Sequence, residues 1–445
     1  MTQLFALHSA YALATAAAAI DGGLLGDGGD RVLVPFVSSR VPETTVGIGA
    51  DPSLARLRTR FDRVEDLDAL LGPLHPSSWT PEPADLVVLE RLITRAWDLG
   101  DDLELFVQSP QVAPALTLMS LFPRARITIV GDGLMTYSPM RIRLPHTIAA
   151  RIGRVVHADV VEGVTPLVGS PGAELVPVPP ALFRQALLEA SPGEDPPLGD
   201  GPVVLVLGQY LAALGLVSDS EEVALQRDMI DLAANRHPQR IVFKPHPSAP
   251  PRVTDALRER AGLHGLDLVE YRGPLSAEVL AERLDAQAVI AGFSTALPTV
   301  RALFERDIDA VGTDAVLRRL TPFENSNRIP ATIVDVLTRH DSAYREPAQL
   351  QLLIDAVGYA MQPLVAAHLR PRAEALLRSI RPSDRDRYFS PKRLAELRLP
   401  GAPAPTLTDR ALRPAGGIGR VEELRLTALG ARRRIRRAWR ALRGR

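Results

Sequence analysis

Residues 190–208 read ASPGEDPPLGDGPVVLVLG. The first part is crowded with proline, glycine and acid, so it reads as a linker. The second part is a continuous aliphatic run ended by glycine, the pattern of a strand buried on both faces of a parallel sheet. The same pattern stands on both sides of this break. Upstream lie LFALH (4–8), VLVPFV (32–37), LELFV (103–107) and ITIVGDG (127–133), with helical-period stretches at 83–99 and 112–122. Downstream lie VVLVLG (203–208), RIVF (240–243), DLVEY (267–271), AVIAGF (288–293) and IDAVG (308–312). Helices are expected between the downstream runs, at about 220–235, 252–261, 276–284 and 295–305.

Strand–helix alternation on each side of a linker predicts an α/β fold of two Rossmann-like domains facing across a cleft. The expected units are an N-terminal domain over 1–190, a C-terminal domain over 203–345, a helical closing segment over 346–400, and a linker with a basic tail over 401–445. In such sheets ligands bind beyond the carboxyl ends of the strands, so chemistry is sought there.

Composition narrows the function. Over 445 residues the formal net charge is zero, which argues against a general nucleic-acid binder. With no cysteine, thiolate catalysis, zinc–thiolate sites and disulfides are excluded. The N-terminus lacks the basic opening of a signal peptide, and no uncharged run is long enough to span a bilayer, so the body is expected in the cytoplasm. There is neither a GxGxxG after a strand nor a GxxxxGK[ST], so dinucleotide and Walker loops are missing. Asp-x-Asp occurs at 66–68, 307–309 and 384–386, a spacing that an aspartate-rich chain produces by chance, and no metal site or cofactor is inferred. The glycine-rich stretch DGGLLGDGGD (21–30) leads into a strand rather than a helix and reads as a flexible loop near the cleft.

Four clusters sit where strands end. KPHP follows RIVF, and Pro245 and Pro247 restrict the backbone on both sides of His246. An imidazole aimed in this way can stabilise a phosphate or protonate a leaving group, and Lys244 adds positive charge. A plain proline turn with a satisfied histidine is the alternative. AGFSTALPTV (291–300) runs from strand to helix, so Ser294 or Thr295 is a natural N-cap, either as a simple cap or as part of an anion site. GDG after ITIV places Asp132 across the cleft as a carboxylate able to take a proton, although Asp-Gly is also a common turn. In LVLGQYL, Gly208 and Gln209 end the first strand of the second set and can meet a nucleotide or phosphate. His8, ending the first strand, is either a substrate contact or a structural residue.

GDGLMTY, LGQYL, KPHP and GFSTAL, in this order and at these strand ends, resemble the bacterial α-2,8-polysialyltransferase and sialyltransferase family. The resemblance covers roughly residues 1–320. It implies a GT-B fold, a CMP-sialic acid donor in the C-terminal domain, and metal-independent, inverting transfer to a cell-surface glycan or lipid-linked glycan acceptor. It further implies Asp132 as base, His246 at the departing CMP phosphate, and Ser294 and Thr295 holding that phosphate. Lys244 fits the same anion electrostatically. The family motif is acidic–acidic–Gly, whereas here the first acidic position is Gly131. A GT-B enzyme using another nucleotide sugar and a non-catalytic CMP-sugar or glycan binder are the alternatives.

The last fifteen residues, ARRRIRRAWRALRGR, carry eight arginines. Leu424, Ala428, Ala431, Ile435, Trp439 and Leu442 fall near one helical face among them, the pattern of a basic amphipathic helix on an anionic membrane surface. Peripheral attachment at the inner leaflet is expected from it, with a solvated charged tail as the alternative.

Overall fold

The computed structural model describes residues 1–26, 29–38, 46–191, 201–209, 211–213, 215–246 and 251–403. The basic tail lies outside them. Two parallel sheets organise the described chain. The first contains β1 (Thr2–Leu7), β2 (Arg31–Pro35), β3 (Arg63–Val64), β4 (Leu103–Val107), β5 (Arg126–Val130), β6 (Ile152–Ala158) and β7 (Glu174–Val178), in the order β3-β2-β1-β4-β5-β6-β7. The second contains β8 (Val203–Leu207), β9 (Arg240–Lys244), β10 (Asp267–Glu270), β11 (Ala288–Ala291) and β12 (Asp307–Ala310), in the order β10-β9-β8-β11-β12. This is the two-sheet α/β architecture of the GT-B type.

Burial explains which runs became central. Every residue of β1, β4 and β8 is buried, as expected of strands covered by helices on both faces. The runs that sequence pattern passes over are β3, β6 and β7. β3 is only two residues long and lies at one edge, while β7 lies at the other edge and carries Pro177, which a central strand would not tolerate. β6 is polar in its first half, with Gly153 and Arg154 breaking the apolar run.

Each sheet reverses its winding once, between β1 and β4 in the first and between β8 and β11 in the second. These two switch points open crevices at the carboxyl ends of the strands. The described residues of the 21–30 stretch, 21–26 and 29–30, are not near them. The stretch joins the end of helix Ala10–Asp21 to the start of β2, where Asp30 O accepts from Gln3 N and Gly29 packs on the Met1 backbone. A helix-to-strand connection returns to the amino edge of the sheet, so this loop is on the far side from the cleft.

Helix Ala10–Asp21 packs on helix Pro180–Glu189, its alanines giving close approach and Tyr11 resting on Phe183 at 4.8 Å between ring centroids. The chain after β12 returns to the first sheet. Gln351 Oε1 accepts from Thr165 N (2.6 Å), and Gly358 lies against Leu167 and Pro139. Asp335, fully buried, fastens the last helices by accepting from Tyr388 Oη (2.7 Å), Arg387 Nη1 (2.8 Å) and Thr313 Oγ1 (2.6 Å).

Candidate active site

The second sheet brings Gly208, Gln209, Lys244, His246, Ser294 and Thr295 to one edge, around the β8/β11 switch point. Gly208 is there because nothing larger fits: a Cβ would stand 2.8 Å from the Phe243 ring and 3.1 Å from Pro245 Cα. Its N–H donates to Lys244 O (2.8 Å), which fixes the KPHP turn beside the end of β8. Gln209 bridges the switch point, its Oε1 accepting from Phe293 N. Behind it Gln226 Nε2 donates to Gln209 O (3.2 Å), and the buried Glu222 carboxylate accepts from Leu211 N (2.8 Å) and Ala212 N (3.0 Å). Gln209 therefore braces the turn that carries Ser294.

Pro245 is buried and His246 is exposed, which puts the imidazole at the surface of the edge; Pro247, expected to brace it from the other side, lies outside the described residues. Lys244 turns inward instead. Its Nζ donates to Gly273 O (3.3 Å) and lies 5.2 Å from the Tyr271 ring centroid. Burial lowers its pKa, an effect the nearby Glu278 carboxylate opposes. Glu278 is itself pushed up by burial, with Ser276 and Lys244 working the other way. Lys244 thus sits between the ends of β9 and β10 rather than pointing out over the edge. At helix Ala296–Phe304, Ser294 Oγ accepts from Ala296 N (3.3 Å), whereas Thr295 is exposed and makes no capping bond. Pro298 removes a first-turn N–H, which leaves the exposed Thr295 hydroxyl as a polar group at this helix start.

The first sheet gathers His8, Ser9, Gln108, Ser109 and Asp132 at its own switch point. Gln108 ties the ends of β1 and β4: its Oε1 accepts from His8 N (3.0 Å) and Ser9 N (3.2 Å), and its Nε2 donates to Ser9 Oγ (2.9 Å). Ser9 Oγ caps helix Ala10–Asp21 by accepting from Ala12 N (3.1 Å) and donates to Asp132 Oδ1 (3.1 Å). Asp132 N donates to Thr136 Oγ1 (2.8 Å). A cavity of about 260 Å³ opens beside Asp132, lined also by Gly131, Ser109, Met135, Ser138 and Arg141. Ser9, Gln108 and Ser109 were not singled out from sequence, although each lies within two residues of the end of an apolar run, where the strand-end rule points.

The two edges meet. Ser138 Oγ donates to Ser326 O (3.1 Å) across the sheets. Tyr11, which starts helix Ala10–Asp21, has its phenol pushed far up by burial, opposed by the Thr299 hydroxyl and reinforced by Glu278 and Asp132. Its Oη, beside Thr299, finds no hydrogen bond of good geometry. A larger cavity of about 540 Å³ lies elsewhere, between the 320–324 loop and the last two helices, and touches neither switch point. Among the described residues no group of three or more His, Asp or Glu is arranged to hold a metal ion.

A family model described as alpha-2,8-polysialyltransferase matches residues 3–307. The chain belongs to the α-2,8-polysialyltransferase family. The matched segment contains both switch points and every site residue named above, and membership makes this polysialyltransferase-family protein a glycosyltransferase. No curated protein matches it in sequence. Among solved structures it is similar to UDP-GlcNAc 2-epimerase from Neisseria meningitidis (12% identity, 85% of this chain and 99% of that one, TM-score 0.42). It is also similar to the GT-B domain of a sialyltransferase from Photobacterium damselae (12% identity, TM-score 0.38), covering 76% of this chain and 97% of that one. A third likeness is to E. coli heptosyltransferase (14% identity, TM-score 0.32), covering 70% of this chain and 88% of that one.

Proposed function

We propose that this family member transfers sialic acid or a related nonulosonate from a CMP-activated donor to a glycan acceptor, with inversion and without a metal. The observation that carries the reading is the meeting of KPHP and FST around the β8/β11 switch point, opposite Asp132. The donor phosphate lies at the second sheet's edge. His246 stabilises or protonates the departing CMP phosphate, and Thr295 holds it at the helix start. Ser294 and Gln209 shape that turn, Gly208 admits it, and Lys244 contributes positive charge from behind. On the other side Asp132, fixed by Ser9, draws the proton from the acceptor hydroxyl as that oxygen attacks the anomeric carbon.

Calorimetric titration with CMP and with UDP tests the donor class: CMP is expected to bind in preference to UDP, and absence of CMP binding removes the reading. His246→Ala is expected to lose turnover of about 10²-fold or more while keeping the fold; unchanged turnover takes His246 out of the mechanism. A second reading, a CMP-sugar or glycan binder without transfer, is favoured by one observation: Gly131 stands where the family carries its first carboxylate. CMP binding with neither donor hydrolysis nor transfer would establish it. The acceptor belongs to the cell surface and is assembled at the inner leaflet, where the Arg-rich tail binds anionic lipid.

A further inference from the structure

The acceptor side of the cleft holds a group that the transfer reading leaves unused. His8 leaves β1 at the first switch point with a hydroxyl beside each ring nitrogen: Nε2 lies 3.2 Å from Ser109 Oγ and Nδ1 lies 3.1 Å from Ser38 Oγ. A neutral imidazole whose Nδ1–H donates to Ser38 keeps Nε2 open to accept the Ser109 hydroxyl proton. Ser109 lines the same cavity of about 260 Å³ as Asp132. Its backbone is left-handed, at φ 57°, an uncommon state for a residue with a side chain and one that clusters at functional sites. Gln108 holds the β1 and β4 ends together, so His8, Ser9, Ser109 and Asp132 form a single rim rather than separate turns. Gly131 offers no carboxylate, and a second proton acceptor on this rim supplies what that position lacks.

We propose that Ser109 and His8 form the proton path of the acceptor side, on the footing of the transferase reading. The acceptor O–H bond breaks, its proton passes to Ser109 Oγ, and the Ser109 proton passes to His8 Nε2. The acceptor oxygen bonds to the anomeric carbon, and the bond from that carbon to the donor phosphate oxygen breaks, its electron pair leaving with CMP. In this path His8 takes over as final proton acceptor the place that the transferase reading gave to Asp132, and Asp132 instead stabilises the imidazolium through its charge. Ser109 touches substrate, and His8 acts through it.

The groups around the ring agree with this role. Burial lowers the His8 pKa below the ordinary 6.5, and the Asp132 charge works against that, so the ring is neutral at pH 7 and ready to accept. The β5 end contributes Asp132, and the β4 end contributes the neutral Gln108 and Ser109. The loop after β2 contributes Ser38, the Phe36 ring at 5.1 Å, and, through the Val37 amide that it accepts from at 2.9 Å, Asp68.

The test is kcat against pH for the full chain, with CMP-sialic acid and a glycan acceptor, alongside CMP affinity by calorimetry. In the unaltered protein kcat is expected to rise with pH below the ordinary histidine value and then level off. His8→Asn is expected to lose that acid limb and to lower kcat at pH 7 by roughly 10²-fold or more, with CMP affinity unchanged; added imidazole restores part of the rate in His8→Ala. Ser109→Ala, which keeps the ring, carries the same test if the His8 variants do not fold, and is expected to lose turnover to a similar degree. An acid limb that persists in His8→Asn, or full turnover in Ser109→Ala, overturns the path and leaves the transferase reading standing. Absence of CMP binding or of turnover in the unaltered protein overturns the transferase reading and the path with it.

Discussion

At Gly131 an added Cβ would stand 2.7 Å from Thr136 Oγ1, 3.0 Å from Thr136 Cγ2 and 3.1 Å from His157 Cβ. Thr136 is not free to yield, because its Oγ1 accepts from the Asp132 amide, and His157 is buried on β6. The missing carboxylate is therefore built into the packing around it. Gly131→Glu is expected to destabilise by about 1–3 kcal/mol through overpacking and to leave turnover no higher. Thermal unfolding and activity of the variant check this; an unchanged melting temperature, or a gain in rate, refutes it. Asp132 was legible from sequence as an acid after a buried run. Its partner Ser9 and the rim through Gln108 were not, since their 99- to 123-residue separations become contacts only when β1, β4 and β5 align.

Strands and turns set the donor edge as units. The end of β8 reaches KPHP only because Gly208 has no side chain, and Gln209 then pins the β11 turn. Gly208→Ala pushes a methyl against backbone at Pro245, so the KPHP turn must shift. CMP affinity is expected to fall about tenfold, equivalent to about 1.4 kcal/mol, which calorimetry measures; unchanged affinity removes the close approach from the site's construction. The last helices form another unit, anchored on Asp335. Asp335→Ala leaves Arg387 and Tyr388 without their shared acceptor and is expected to cost about 3–5 kcal/mol, as for breaking a buried ion pair. A chemical-denaturation midpoint unchanged by that variant contradicts the anchoring role. In the first sheet the strands that sequence pattern found, β1, β2, β4 and β5, are the inner, largely buried ones. The edge strands β3 and β7 escaped because one-sided exposure and Pro177 dilute the aliphatic signal.

Over the whole molecule, no helix among the described residues is long and apolar enough to cross a membrane. In the function proposed above the Arg-rich tail is the element that meets the membrane surface. A chain ending at residue 419 is expected to lose flotation with anionic vesicles, each arginine near the surface having contributed about 1 kcal/mol, while CMP binding persists; equal flotation with and without the tail discards the membrane role. By itself the sequence determined the strand–helix alternation and the order GDG, KPHP, FST, because these follow from local periodicity and strand-end chemistry; the expected linker at 192–200 lies outside the described residues. Only the tertiary structure decided that Gly131 has no room for a side chain, that Lys244 turns inward to Gly273 and Tyr271, and that His8 and Ser109 share a rim with Asp132. The physical reason is sheet order: placing β1 beside β4, and β8 between β9 and β11, joins residues that no sequence window spans.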